Sequence, residues 1–152
     1  MRRCMAVCGL LLLVTLLLPQ VALAATTTPA QRNAISWTWT YNAPGTSVYN
    51  CLAYAMGYTD RWLWPLSWGS SPSLLTVTTW MSGQGYTYSS TKQSTSKIVV
   101  YGYNSAVTHF SKITSSSTCR AKWGACERFN HGSLGPYYAN SVSYGLVYGY
   151  YR

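Results

Sequence analysis

The sequence predicts an α+β domain in which helices come first and an antiparallel sheet follows. Two segments of the first half carry apolar residues at helical spacing, each between a polar cap and a glycine. The second half reads as short runs of β-branched and aromatic residues separated by turn clusters. Helices in one block and strands in another imply helices laid on a sheet rather than alternating βαβ units.

Residues 25–34 are polar, contain a proline and read as a flexible leader. Between 35 and 41, Trp37 and Trp39 alternate with hydroxyl residues, as an extended segment places them. Asn42-Ala43-Pro44-Gly45 turns the chain. Cys51, Leu52, Ala55 and Met56 then recur with helical period, with Asn50 as the N-cap and Gly57 as the stop. Residues 58–71 hold Trp62, Trp64, Pro65 and Trp68 without a period and form an aromatic loop, either packing or a stacking platform for sugar rings. A second helix covers 72–81, capped by Ser71, with Leu74, Leu75, Thr78 and Met81 on one face and Gly83 beyond. Strands follow at 85–89, 97–103, 107–114, 118–123 and 143–151. Asn104-Ser105 and Ser115-Ser116-Ser117 are hairpin turns, and 126–131 reads as a short helical turn.

Residues 1–24 read as a cleavable export signal. Arg2 and Arg3 precede an apolar run, Pro19 breaks it, and Ala22-Leu23-Ala24 has the small residues a signal peptidase needs. The apolar run falls short of the about 20 residues a spanning helix requires. The predicted organisation is a signal (1–24), a leader (25–34) and one domain (35–152), placed in an extracellular or periplasmic space. The whole chain carries a formal net charge of +9, with two acidic residues against eleven lysines and arginines. That charge favours anionic partners by long-range attraction. The basic residues are scattered, so nucleic acid is not an expected partner. Cell-wall peptide or glycan, or an anionic surface polymer, is. Membrane contact is expected through the signal alone.

Cys4 and Cys8 fall within the signal, which leaves Cys51, Cys119 and Cys126. In an oxidising compartment an odd count leaves one thiol over. A bridge between Cys119 and Cys126 would close a small loop and leave Cys51 free; pairing of Cys51 with either remains the rival. Two histidines and two acidic residues offer no metal-ligand spacing, and no cofactor is expected.

The pair that carries chemistry is Cys51, at the start of the first helix, and His109, in a downstream strand. A thiol at a helix N-terminus meets exposed N–H groups and partial positive charge, both of which favour the nucleophilic thiolate. A histidine beside it acts as base and then as acid. The competing reading makes Cys51 a small buried apolar residue and His109 a satisfied core histidine. Lys122 reads as a solvated strand residue.

Tyr49-Asn50-Cys51-Leu52-Ala53-Tyr54-Ala55 resembles the nucleophile helix of papain-like cysteine hydrolases, especially CHAP amidases and NlpC-type cell-wall endopeptidases. Val107-Thr108-His109 resembles their histidine strand, and Ala121-Lys122-Trp123-Gly124 with Glu127 and His131 resembles a bacterial papain-like branch. Phe110 after His109 departs from the small residues usual there. The resemblance implies a papain-like fold and hydrolysis of amide bonds, possibly in cell-wall peptide. Cys51 would be nucleophile and His109 base and acid. The imidazole would be oriented by His131, by Glu127 or Asn130, or by a backbone carbonyl. The backbone N–H of Cys51 would be one oxyanion donor. Two other functions remain open: a non-catalytic module binding wall glycan or polyanion, and a secreted toxin or inhibitor on the same scaffold.

Overall fold

A computed structural model describes residues 24–67, 69–132, 134–139 and 143–152. The expected export signal (1–24), apart from Ala24, and Trp68 lie outside the described residues. The elements run α1 (Pro29–Ile35), β1 (Thr40–Ala43), α2 (Cys51–Met56), α3 (Leu74–Gly83), β2 (Tyr88–Ser89), β3 (Ile98–Tyr103), β4 (Ala106–Ile113), β5 (Cys119–Lys122), β6 (Arg128–His131) and β7 (Leu146–Tyr151).

Local chemistry sets the helix ends. The Asn50 side chain accepts the Ala53 N–H at 3.0 Å, and Gly57 closes α2 at φ 97°, which a residue with a Cβ rarely adopts. The cap of α3 is Ser73 rather than Ser71: its hydroxyl accepts the Thr76 N–H, and its backbone bridges to Ala106. Asn104 and Ser105 both take positive φ, 48° and 64°, giving the tight turn that matches the twist of β3 and β4.

The strands form one antiparallel seven-stranded sheet in the order β1-β6-β5-β4-β3-β7-β2. This corrects the papain-like expectation of N-terminal helices packed on a sheet. The described helices have 7, 6 and 10 residues, too little to form a helical layer over seven strands. Side chains from alternate positions of β3 fill cores on both faces: Ile98 and Val100 pack with Leu52, Val77, Met81 and Phe110, while Val99 and Tyr101 pack with Trp123, Phe129 and Tyr137. Residues 126–131 do not make a helical turn. Positions 128–131 become β6, because Phe129 and His131 alternate inward and the strand gains ladders on both sides, to β5 and β1.

The polar segment 25–34 contains most of α1 and is tied to the domain. Thr28 and Gln31 cap α1 reciprocally, and Pro29 occupies its first turn. The buried Glu127 carboxylate accepts from the Thr27 N–H and hydroxyl and pairs with Arg32 at 3.0 Å. Arg32 also lies over the rings of Trp39 and Phe129. Burial pushes the Glu127 pKa up, but its own backbone N–H, the Thr27 bonds and Arg32 together outweigh it, and the net shift is downward from 4.5. A depressed carboxyl contributes stability above its unfolded value and loses it as pH falls through the folded value. The stabilisation of docked α1 is therefore expected to begin to fall below pH 4.5 and to be lost as pH drops through the lower folded value. Trp39 emission should report that transition, and Glu127→Gln should abolish it. A pH-independent signal in the wild type would refute this assignment.

Candidate functional site

Pairing between β4 and β5 covers two residue pairs, Lys112 with Arg120 and Ile113 with Cys119, although β4 begins at Ala106 and β5 runs to Lys122. Beyond that ladder the start of α2 comes against β4, near enough for the Phe110 backbone N–H to draw the Cys51 thiol pKa down. A cavity of about 150 Å³ lies here, lined by Cys51, Trp64, Ser70, Thr108, His109 and Tyr144 among others. The fold thus brings Cys51 and His109, 58 positions apart in sequence (109 − 51), to one cavity. Cys51 is 6% exposed and His109 fully buried.

The His109 ring is held on three sides. Its Nε2 lies 3.1 Å from the Tyr137 hydroxyl. Tyr144 stacks on its face at 3.7 Å with an interplanar angle of 10°, and Tyr101 covers it at 5.9 Å. Among the described residues Nδ1 has no hydrogen-bond partner. Cys51 shares the cavity, but its sulfur does not bond to that nitrogen. His131 meets the group that holds His109: its Nε2 lies 3.4 Å from the Tyr137 hydroxyl and 3.2 Å from Ser111 Oγ. Glu127 is committed to Thr27 and Arg32, and Asn130 Oδ1 accepts from Arg120 Nε at 2.6 Å. The group that hydrogen-bonds to the imidazole is Tyr137, which sequence reasoning missed. It is one of 14 tyrosines, and nothing in its neighbours distinguishes it.

Burial reverses the expected thiolate. Desolvation pushes the Cys51 thiol up to about 11, against smaller opposing pulls from the N–H groups of Phe110, Leu52 and Cys51 and from the Lys122 charge. Desolvation, with a smaller push from His131, holds the His109 pKa well below its usual value. Both groups are neutral at pH 7. Alkylation of Cys51 by iodoacetamide should then rise about tenfold per pH unit from 7 toward 11 with no plateau, since the thiolate fraction does. Peptide-resolved mass spectrometry measures this, and a rate already saturated at pH 7 would refute it.

Other expectations resolve around this centre. Cys51, Cys119 and Cys126 are all free thiols. Extended strand β5 begins at Cys119 and carries the chain away from it before the turn that holds Cys126. At about 3.3 Å per residue the separation exceeds the roughly 7 Å a bridge can span. Lys122 is buried rather than solvated, and its ammonium donates to the carbonyls of Thr46, Gly124 and Cys126 at 3.0, 2.6 and 2.5 Å. Its burial lowers its pKa to about 8. Gly124, held by that ammonium, is part of the cavity wall. Trp64 lines the cavity while its edge packs on Phe110, and Trp62 donates to the Ser47 carbonyl.

The model of one protein family, described as "Domain of unknown function (DUF7689)", matches residues 40–152. No curated protein and no solved structure matches the chain.

Proposed function

The chain belongs to the DUF7689 family, whose function is unknown, and from its own cavity we propose that it is a secreted cysteine hydrolase acting on amide bonds, with cell-wall peptide as substrate. One observation carries this: a thiol and an imidazole line the same small cavity, and the imidazole's Nδ1 has no partner among the described residues while its other nitrogen is tethered. The basic charge of the chain supports an anionic wall as the place of action.

With both groups neutral at rest, the chemistry is general-base catalysis rather than attack by a preformed thiolate. As Cys51 Sγ bonds to the carbonyl carbon, its proton moves to His109 Nδ1. The same proton passes to the leaving amine as the C–N bond breaks, which leaves a thioester on Cys51. Water then gives a proton to Nδ1 and attacks the thioester; the C–S bond breaks and the proton returns to sulfur. The transient imidazolium is stabilised by its Nε2–H bond to Tyr137 and by the stacked Tyr144 ring, worth about 0.5–2 kcal/mol. The Cys51 N–H supplies one oxyanion donor.

Acid quenching during turnover of a stem-peptide amide, followed by intact-protein mass spectrometry, should reveal an acyl adduct on Cys51. Cys51→Ala should give neither adduct nor product. Product formation by Cys51→Ala, or none by the wild type on any wall peptide, would sink the hydrolase reading.

A second reading, a wall-glycan binding module, is favoured by exposed aromatic residues around β1. Trp37 is 51% exposed and meets Tyr138 edge-on, and Tyr41 is 56% exposed. If binding dominates, Trp37→Ala should lower retention on insoluble peptidoglycan several-fold while Cys51→Ala leaves it unchanged. Equal retention by wild type and Trp37→Ala would remove this reading.

A further inference from the structure

The His109 imidazole does not stand alone behind the cavity. Tyr137 Oη receives the Trp123 Nε1–H at 3.3 Å and meets His109 Nε2 at 3.1 Å and His131 Nε2 at 3.4 Å. Trp123, Tyr137, His109 and His131 are all nearly or wholly buried. A phenol oxygen has one proton to donate and two lone pairs to accept with, and an indole N–H can only donate. Trp123 takes one lone pair. One acceptor position and one proton remain for two neutral histidines. With both histidines satisfied through Tyr137 itself, one carries its proton on Nε2 and donates to Tyr137, while the other presents a bare Nε2 and accepts from it; the Ser111 hydroxyl is a further partner on the His131 side.

We propose that His131 is a positioning residue that sets the tautomer of His109 through the Tyr137 hydroxyl, the two rings holding opposite tautomers. With its proton on Nδ1, His131 accepts the Tyr137 proton, and the Ser111 hydroxyl, 3.2 Å from the same nitrogen, is placed to donate there as well. Tyr137 then accepts the His109 Nε2–H, which leaves a bare lone pair on His109 Nδ1, the nitrogen without a hydrogen-bond partner among the described residues. In the reverse arrangement His131 donates, Tyr137 donates to His109, and His109 Nδ1 carries a proton it cannot exchange for that of a thiol. The link rests on the hydrolase reading for its purpose, but the tautomer pairing itself is a property of the resting protein. Acid steps are accommodated too. The imidazolium keeps its Nε2–H on Tyr137 while Nδ1 gains and loses a proton, so no group behind the ring has to turn.

The test is long-range ¹H–¹⁵N correlation of the two imidazoles in uniformly ¹⁵N-labelled full-length protein. The wild type should give His109 protonated at Nε2 and His131 protonated at Nδ1. In His131→Phe the Tyr137 proton loses its histidine acceptor and turns toward His109, so a measurable fraction of His109 should shift to the Nδ1–H form. The same exchange made in Tyr137→Phe should leave the His109 signals where that variant has them. Turnover of a wall-peptide amide should fall about 10-fold in His131→Phe at unchanged KM, well short of the roughly 10⁴-fold that a wholly wrong tautomer costs. Identical tautomers on the two rings of the wild type would overturn the proposal even if His131→Phe does not fold. An unchanged His109 spectrum in a folded His131→Phe would also overturn it. The nuclear resonance arm needs no turnover, so a protein that hydrolyses nothing but shows paired tautomers loses the hydrolase reading alone. One that hydrolyses through Cys51 with unpaired tautomers loses this proposal alone.

Discussion

Turnover of a wall-peptide amide should fall about 10³-fold when His109 is replaced by glutamine, the middle of the range that a general acid–base contributes. Glutamine can keep a hydrogen bond to the Tyr137 hydroxyl and fill much of the ring's space, but it cannot take the thiol proton. With Cys51 held as a neutral thiol by its burial, there is no standing thiolate to sustain a residual rate. The loss should fall on kcat rather than KM, since the proposed mechanism has His109 act on the reacting atoms and not on the body of the substrate. Tyr137→Phe should cost about 10-fold by the same assay, because it releases the ring without removing the base. Circular dichroism of each variant separates lost chemistry from lost fold. A His109→Gln variant with turnover within a factor of two of wild type would show that the imidazole is a core residue.

The second large effect is on stability. Lys122→Met should destabilise the domain by about 3 kcal/mol or more, because three inward-facing carbonyls, those of Thr46, Gly124 and Cys126, lose a charged donor together. Lys122→Arg should not rescue it, since a planar guanidinium cannot converge on three acceptors as an ammonium does. The sign with pH follows from the lysine's own titration. Its folded pKa is lowered from 10.5 to about 8, so between those values the unfolded chain holds the extra proton. Stability conferred through this group therefore rises with pH across that window. The gap between wild type and Lys122→Met should widen from pH 8 toward 10.5 in denaturant titrations. A constant or narrowing gap would mean that the ammonium is not desolvated.

What the sequence determined by itself was whatever a few neighbouring residues can decide. Asn50 and Gly57 bound α2, Asn104 and Ser105 turn the β3–β4 hairpin, and Ile98 to Tyr103 and Ala106 to Ile113 are strands by their β-branched and aromatic composition. For the cap, the stop and the turn, donor, acceptor and dihedral preference lie within one turn of chain. The choice of Cys51 and His109 was also legible, because their residue types carry chemistry wherever the chain puts them. The tertiary structure decided the rest. Residues 128–131 are strand because β5 and β1 both offer them a ladder. The polar leader is anchored because Thr27 meets Glu127 100 positions away, and His109 is oriented by Tyr137, 28 positions on. The protonation of Cys51 was beyond local reasoning as well. A helix start favours the thiolate, yet the sheet and its side chains exclude water from the sulfur, and desolvation outweighs the pull of the N–H groups near it. Caps and turns are settled by short-range bonds that a sequence displays; burial, and with it charge, is settled by whatever the rest of the chain packs against the group.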